Sequence, residues 1–201
     1  MSRQERRRVA EETIQVTHQG RYQKHGKTIV LPKEDYSAAI LIDAKEAKRC
    51  GEVVKNGCSI SDTPDIYVLD ADSFACAKGM ENVLVMNFAN AHVPGGGVRN
   101  GANAQEECLC RESTLYHSIG GDVAYEMYDY NNRRKNACDS DYMILSPHVC
   151  VFRNLHDDFL DEPFLTSVIT IPAPNRNGAA REVSPAVLSR VMKSRLRKMF
   201  A

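Results

Sequence analysis

Apolar residues in this chain fall into short Val- and Ile-rich runs separated by stretches with helical spacing. The clearest run is Val83-Leu84-Val85-Met86-Asn87-Phe88, ended by Asn90 and Pro94, and it predicts a buried strand. Ile66-Tyr67-Val68-Leu69 predicts another. Between them, Asp72 or Ser73 caps a helix through Lys78, with Gly79 behind it. Strand, helix and strand in this order predict a βαβ unit, with a parallel pair and a right-handed crossover. In such sheets ligands bind beyond the carboxyl ends of the strands. Downstream, residues 105–119 predict a helix with apolar positions at Cys108, Leu109, Leu115 and Ile119.

The flanks follow the same logic. Residues 3–19 predict a helix with a thin apolar stripe of Val9, Ile14 and Val16 and a C-cap at Gly20. Thr28-Ile29-Val30-Leu31 predicts a short strand stopped by Pro32. Ala38 to Ile42 fits a strand or a helix start, 44–50 lean helical, and 55–65 carry the loop chemistry of Asn56-Gly57 and Thr63-Pro64. Residues 122–142, with four tyrosines, predict an insertion packed over the domain with half-buried rings. Met143 to Leu145 and Val149 to Phe152 predict two short strands around Ser146-Pro147, and 164–171 predict a central strand. Ser184-Pro185 opens a last helix with apolar Val187, Leu188, Val191, Leu196 and Met199. Its other face, Arg190, Lys193, Arg195, Arg197 and Lys198, reads as solvated charge.

Composition narrows the function classes. With 201 residues, 43% hydrophobic and 26% charged, the chain suits one α/β domain with a sizeable core. Formal net charge is zero, so a polyanion must be caught by a local site and not by a global field. Arg6-Arg7-Arg8 is too short a basic run to signal nucleic-acid binding, and no apolar run reaches membrane-spanning length. The seven cysteines show no zinc spacing. Cys108 and Cys110 point in different directions on a helix, so no metal is expected. Reduced thiols predict a cytoplasmic protein, or a nuclear one in a eukaryote, and a monomer is expected.

Between the strongest strand and the following helix lies GGGVRNGANAQEECLCRES: three glycines, a seven-residue spacer and Gln105-Glu106-Glu107. Consecutive glycines let the backbone approach a ligand, and their N–H groups can form an anion nest, most often for a phosphate. Glu106 and Glu107 stand in a helix first turn, where the macrodipole lowers a carboxylate pKa and burial raises it. A carboxyl group held between those pressures suits acid/base cleavage of a glycoside. Asn87 and Asn90 flank the strand end, where an Asn also serves to close a turn. His92, beside the loop, reads as a surface residue.

The segment NFANAHVPGGGVRNGANAQEECLCRESTLYHSI resembles the signature of poly(ADP-ribose) glycohydrolases, GGG followed by a spacer and QEE, and specifically the microbial type. RRRVAEETIQVTHQGRY, DYMILSPHVCVFRN and ITIPAPNRNGA resemble the same family in the same order, so the likeness covers most of the chain. The resemblance implies a macrodomain-like three-layer α/β/α fold with a mixed sheet. It implies an N-terminal helical extension over 1–34, which helps to wall off the terminal ribose, and a core over 35–201. It also implies hydrolysis of the ribose–ribose O-glycosidic bond of poly(ADP-ribose) without cofactor or metal, with ADP-ribosylated proteins as further substrates. Residue by residue, Gly95, Gly96, Gly97 and the Val98 amide would hold the diphosphate. Glu107 would be the acid/base, Glu106 would orient the ribose, Gln105 would position the pair, and Asn90 would bond the distal ribose. The family continues past the last helix with a strand and a second glycine-rich loop that this sequence does not show, so a C-terminally truncated domain is expected. A non-catalytic ADP-ribose-binding module and a hydrolase of mono-ADP-ribosyl substrates are the alternatives.

Overall fold

The computed structural model describes residues 1–43, 45, 46, 48, 49, 65–134 and 136–200. The expected loop at Asn56-Gly57 and Thr63-Pro64 lies outside the described residues.

Helix α1, Arg3–Gln19, starts with a capping box in which Ser2 and Glu5 satisfy each other's backbone N–H groups. It ends at Gly20, whose φ of 66° and N–H bond to the Val16 carbonyl terminate the helix. Val9, Ala10, Thr13 and Val16 form its buried stripe. A hairpin follows, β1 (Arg21–Lys24) and β2 (Lys27–Val30), with His25 and Gly26 both at positive φ in the turn. The β1 half carries no apolar run, and sequence pattern did not reveal it.

The main sheet has the order β3-β5-β6-β4. Strand β3 is Ile40–Ile42, β4 Leu84–Ala89, β5 Met143–Arg153 and β6 Phe159–Pro172. The β3/β5 and β5/β6 pairs are antiparallel and β4/β6 is parallel, so the sheet is mixed. The two expected strands around Ser146-Pro147 are one strand, β5, with a register shift between Ser146 and Val149. Pro147, which has no N–H to give the ladder, sits inside the shift.

Residues of alternate parity face opposite layers. Val85, Val149, Val151 and Val168 meet Ala10 of α1, Phe74 of α2 (Ser73–Ala77), Leu109 of α3 (Gln105–Glu112), and Leu115 and Ile119 of α4 (Leu115–Ile119). Ile144 packs with Met127 and Tyr128 of α5 (Asp122–Arg133). On the opposite face Met143, Ile169 and Ile171 pack with Met86 and with Met199 of α6 (Pro185–Met199). This is the three-layer α/β/α arrangement with a mixed sheet that was expected.

Four expectations need correction. Ile66, Tyr67, Val68 and Leu69 form no strand and are 83%, 78%, 94% and 64% exposed, so the parallel partner of β4 is β6 and not this segment. An apolar run becomes a strand only where a sheet edge takes up its backbone groups. The single helix over 105–119 is broken at Ser113, which is extended and bridges Val151 of β5. There Ser113 Oγ donates to the Leu109 carbonyl, and Thr114 Oγ1 accepts from the Cys150 N–H, so hydroxyl chemistry and the sheet override helix spacing. The tyrosine-rich stretch is not a half-buried insertion: α5 buries Tyr128 completely, while Tyr125 faces solvent. Finally, Arg195 is not solvated. It is 1% exposed, and its guanidinium donates to Asp141, to the Pro172 carbonyl at the end of β6 and to the Cys138 carbonyl.

Candidate active site

Strand β4 leaves the sheet at Ala89, and the chain turns at once. Asn90 Oδ1 accepts from the N–H groups of His92 and Val93 at 2.8 and 3.0 Å. Its side-chain carbonyl therefore closes the turn that aims the glycine loop. His92 turns to Asn132 and Asp139, each 3.0 Å from a ring nitrogen, and its hydrogen bonds go to neither glutamate.

Gly95 and Gly96 both adopt left-handed backbone, with φ of 65° and 55°. A side chain at Gly95 would meet the Tyr116 ring at 2.7 Å, and one at Gly96 would meet Glu107 Oε1 at 2.6 Å. These positions require glycine for both conformation and space. The spacer is a short 3-10 turn at Val98–Asn100, closed by Gly101. It is braced from α1, where Arg3 Nε donates to the Asn100 carbonyl and Arg6 Nε to the Gly101 carbonyl, at 2.7 and 2.8 Å. It is braced from below by Arg111, buried on α3, which donates to the Ala102 carbonyl and to Asn103 Oδ1 and pairs with Asp157 at 3.2 Å. Nothing in the sequence distinguishes Arg111 from a solvated helix charge, and pattern reading missed it.

The three residues Gln105, Glu106 and Glu107 then each take a separate backbone partner. Gln105 docks on β4 like a neighbouring strand residue: Nε2 donates to the Met86 carbonyl at 2.6 Å, and Oε1 accepts from the Phe88 N–H at 2.9 Å. Glu106 Oε2 accepts from the Asn90 N–H at 2.8 Å, and Oε1 lies 3.4 Å from Asn87 Nδ2. Glu107 Oε1 accepts from the Gly97 N–H at 2.8 Å, and Oε2 from the Ala104 N–H at 2.9 Å. Both glutamates are buried, at 3% and 7% exposure. Burial is the main cause that pushes the Glu106 pKa up to about 7, against the hydrogen bonds from Asn90, Asn87 and Gly95.

The anion nest expected at Gly95, Gly96, Gly97 and Val98 is thus engaged within the chain. The Gly97 N–H holds Glu107, the Gly95 N–H faces Glu106, and the Gly96 and Val98 N–H groups donate to the Val93 and Gly95 carbonyls. Chemically, the loop holds two carboxylates side by side at the carboxyl end of a parallel strand, one of them poised to carry a proton near neutrality. Among the described residues no group of three or more His, Cys, Asp or Glu side chains is placed to hold a metal ion. No helix of the described residues is long and apolar enough to cross a membrane.

The family model for the microbial-type PARG catalytic domain matches residues 10–154, which include the whole glycine loop and the three residues of its partner triplet. Among solved structures, poly(ADP-ribose) glycohydrolase from Thermomonospora curvata is similar with a TM-score of 0.85 and 30% identity, over 98% of this chain and 74% of that one. The same protein bound to the inhibitor ADP-HPD gives a TM-score of 0.83 at 30% identity, over 98% and 73%. The Deinococcus radiodurans glycohydrolase in complex with ADP-ribose gives 0.70 at 31% identity, over 81% and 67%. No curated protein matches the chain. With the loop, the glutamate pair and the mixed sheet in place, and with this model spanning most of its length, the chain belongs to the microbial-type PARG catalytic domain family.

Proposed function

We propose that this protein is a poly(ADP-ribose) glycohydrolase that cleaves the ribose–ribose O-glycosidic bond and releases ADP-ribose. The observation that carries the reading is the pair of buried glutamates, Glu106 and Glu107, held by backbone N–H groups of the glycine loop and its flanks. The relatives crystallised with ADP-ribose and with ADP-HPD support an ADP-ribose ligand here.

In the proposed reaction Glu107 protonates the leaving ribose oxygen as the C–O bond breaks. The positive charge left on the ribose is oxocarbenium-like. Glu107 then takes a proton from water as the water oxygen attacks that carbon, which restores the acid. Glu106 bonds the ribose and orients it. Asn90 bonds the distal ribose through its amide N–H groups, while its carbonyl keeps the turn. Gly95, Gly96, Gly97 and Val98 lie against the diphosphate, and Gln105 keeps the helix start docked on β4. Adjacent helix residues do not face each other across a sugar like paired glycosidase carboxylates, which favours a single acid/base.

One observation favours exchanged roles: Glu106 is the carboxyl pushed up to about 7, the value expected of a neutral-pH acid. The test is ADP-ribose release from polymer by the wild type, Glu107→Gln and Glu106→Gln, with ADP-ribose binding by calorimetry in parallel. Glu107→Gln should lower release about a thousandfold and keep binding. Loss confined to Glu106→Gln would exchange the roles. Binding without release in the wild type would leave an ADP-ribose-binding module, and release only from singly modified proteins would make the substrate mono-ADP-ribosyl.

A further inference from the structure

Beside Tyr116, whose ring also packs against Gly95, helices α1 and α4 and the turn after the glycine loop line a cleft of about 200 Å3. Basic and hydroxyl-bearing residues line it together with Ile14. Arg99 reaches in from the 3-10 turn, and among the described residues its guanidinium has the Tyr116 ring, 6.0 Å away, and no carboxylate. His18 of α1 and His117 of α4 stand edge to face with ring centroids 5.2 Å apart. Burial, and His18 after it, push the His117 pKa down. Tyr116 and Thr17 also line the cleft, the Thr17 hydroxyl donating to the Thr13 carbonyl at 2.9 Å, and Asp35 is the carboxylate that faces His117. Asp35 Oδ1 accepts from the Ser37 N–H and Oγ.

We propose that this cleft is a second anion subsite, which takes a phosphate of the polymer unit next to the one being cleaved. The proposal rests on the glycohydrolase reading for the identity of the polymer. Three features carry it. Among the described residues the cationic group has no acidic partner, the polar groups converge from three separate elements, and the cleft shares Tyr116 with the glycine loop, so one substrate chain can reach both. A chain of zero net charge has no overall field with which to hold a polyanion, and a local foothold outside the cleaved unit supplies that hold.

The test uses the whole chain and two variants on different elements, Arg99→Gln in the loop and His18→Gln on α1. Both residues are exposed, so folding should persist, and an effect common to both is independent of loop distortion. Inorganic phosphate is titrated while the His117 ring resonances are followed by NMR. Saturable shifts in the wild type, at least tenfold weaker in both variants, are expected. For polymer, KM should rise roughly five- to tenfold in each variant, with kcat and ADP-ribose affinity unchanged, as a lost contact of about one charge would give. Absence of phosphate shifts, or a matching loss of ADP-ribose affinity, would overturn the subsite. Phosphate shifts with unchanged polymer KM would overturn the polymer assignment and leave a free-phosphate site. If the wild type releases no ADP-ribose, the functional reading fails separately. Polymer retention by Glu107→Gln, with and without Arg99→Gln, then decides the subsite by binding alone.

Discussion

Gly96 shows how narrowly a single residue conditions this site. Its φ of 55° and the 2.6 Å approach to Glu107 Oε1 leave no room for a methyl group. Gly96→Ala should cost about 1–3 kcal/mol of stability and move the Glu107 carboxylate. ADP-ribose release should fall by more than tenfold in protein that is still folded at the assay temperature, checked by thermal unfolding beside the rate. Glu106 carries a second prediction. A carboxyl pushed up to about 7 loses its proton in the neutral range, so the rate profile of the wild type should bend near that pH. Glu106→Gln should remove the bend, and a profile unchanged in that variant would separate Glu106 from proton handling.

At the scale of elements, the site depends on how α3 meets β4. Among the described residues β4 is an edge strand of the main sheet, and the amide of Gln105 pairs with its outer side through two hydrogen bonds. Gln105→Ala should cost about 1–2 kcal/mol by leaving the Met86 carbonyl and Phe88 N–H without that partner. It should also lower kcat more than ADP-ribose affinity, because the glutamates follow Gln105 directly. On the opposite face, α6 is held by Arg195. Burial raises the Asp141 pKa, but the hydrogen bonds from Lys198 and Arg195 outweigh it and hold the carboxyl below the usual range. Arg195→Ala removes the buried partner of an ion pair whose Asp141 side is part-exposed and keeps Lys198, and it removes two carbonyl contacts. It should destabilise by about 2 kcal/mol, mainly through the carbonyls left unpaired, seen as a lower urea midpoint.

For the whole molecule, pH dependence follows from two buried acids. Burial pushes Glu112 up to about 8, with Asp72 and Asp157 adding to it, and burial pushes Glu106 to about 7. Both keep a proton in the native state at pH values where the unfolded chain has released it, above the ordinary 4.5. Their contribution to stability is therefore full below about 4.5 and is lost as pH rises to about 8. Asp141 works in the opposite direction at the acid end, since its depressed pKa means that stability is lost as acid protonates it. Unfolding temperature should peak in mildly acid buffer and decline towards pH 8. Glu112→Gln should flatten that decline and gain on the order of 2 kcal/mol at pH 8, and an unaltered slope would remove Glu112 as its cause.

Much of the fold was legible because local chemistry and tertiary structure agree. Gly20 ends α1, Asp72 caps α2, and Ser184-Pro185 starts α6 where the cap residues require. The glycines, the spacer and the glutamates were legible for the same reason: φ, space and backbone N–H donors are short-range demands that write themselves into residue type. What the sequence could not determine was set by partners distant along the chain. The break at Ser113 comes from β5, and the exposed state of Ile66 to Leu69 reflects which strand β4 takes as partner. The burial of Arg195 and Arg111 comes from carbonyls and carboxylates 23 to 57 and 8 to 46 positions away. The sequence by itself determined which groups could do chemistry and where the chain must turn. Only the tertiary structure decided which charges leave water, and with that which carboxyl carries a proton near neutrality, because desolvation is a property of everything packed around a group and not of its neighbours in the chain.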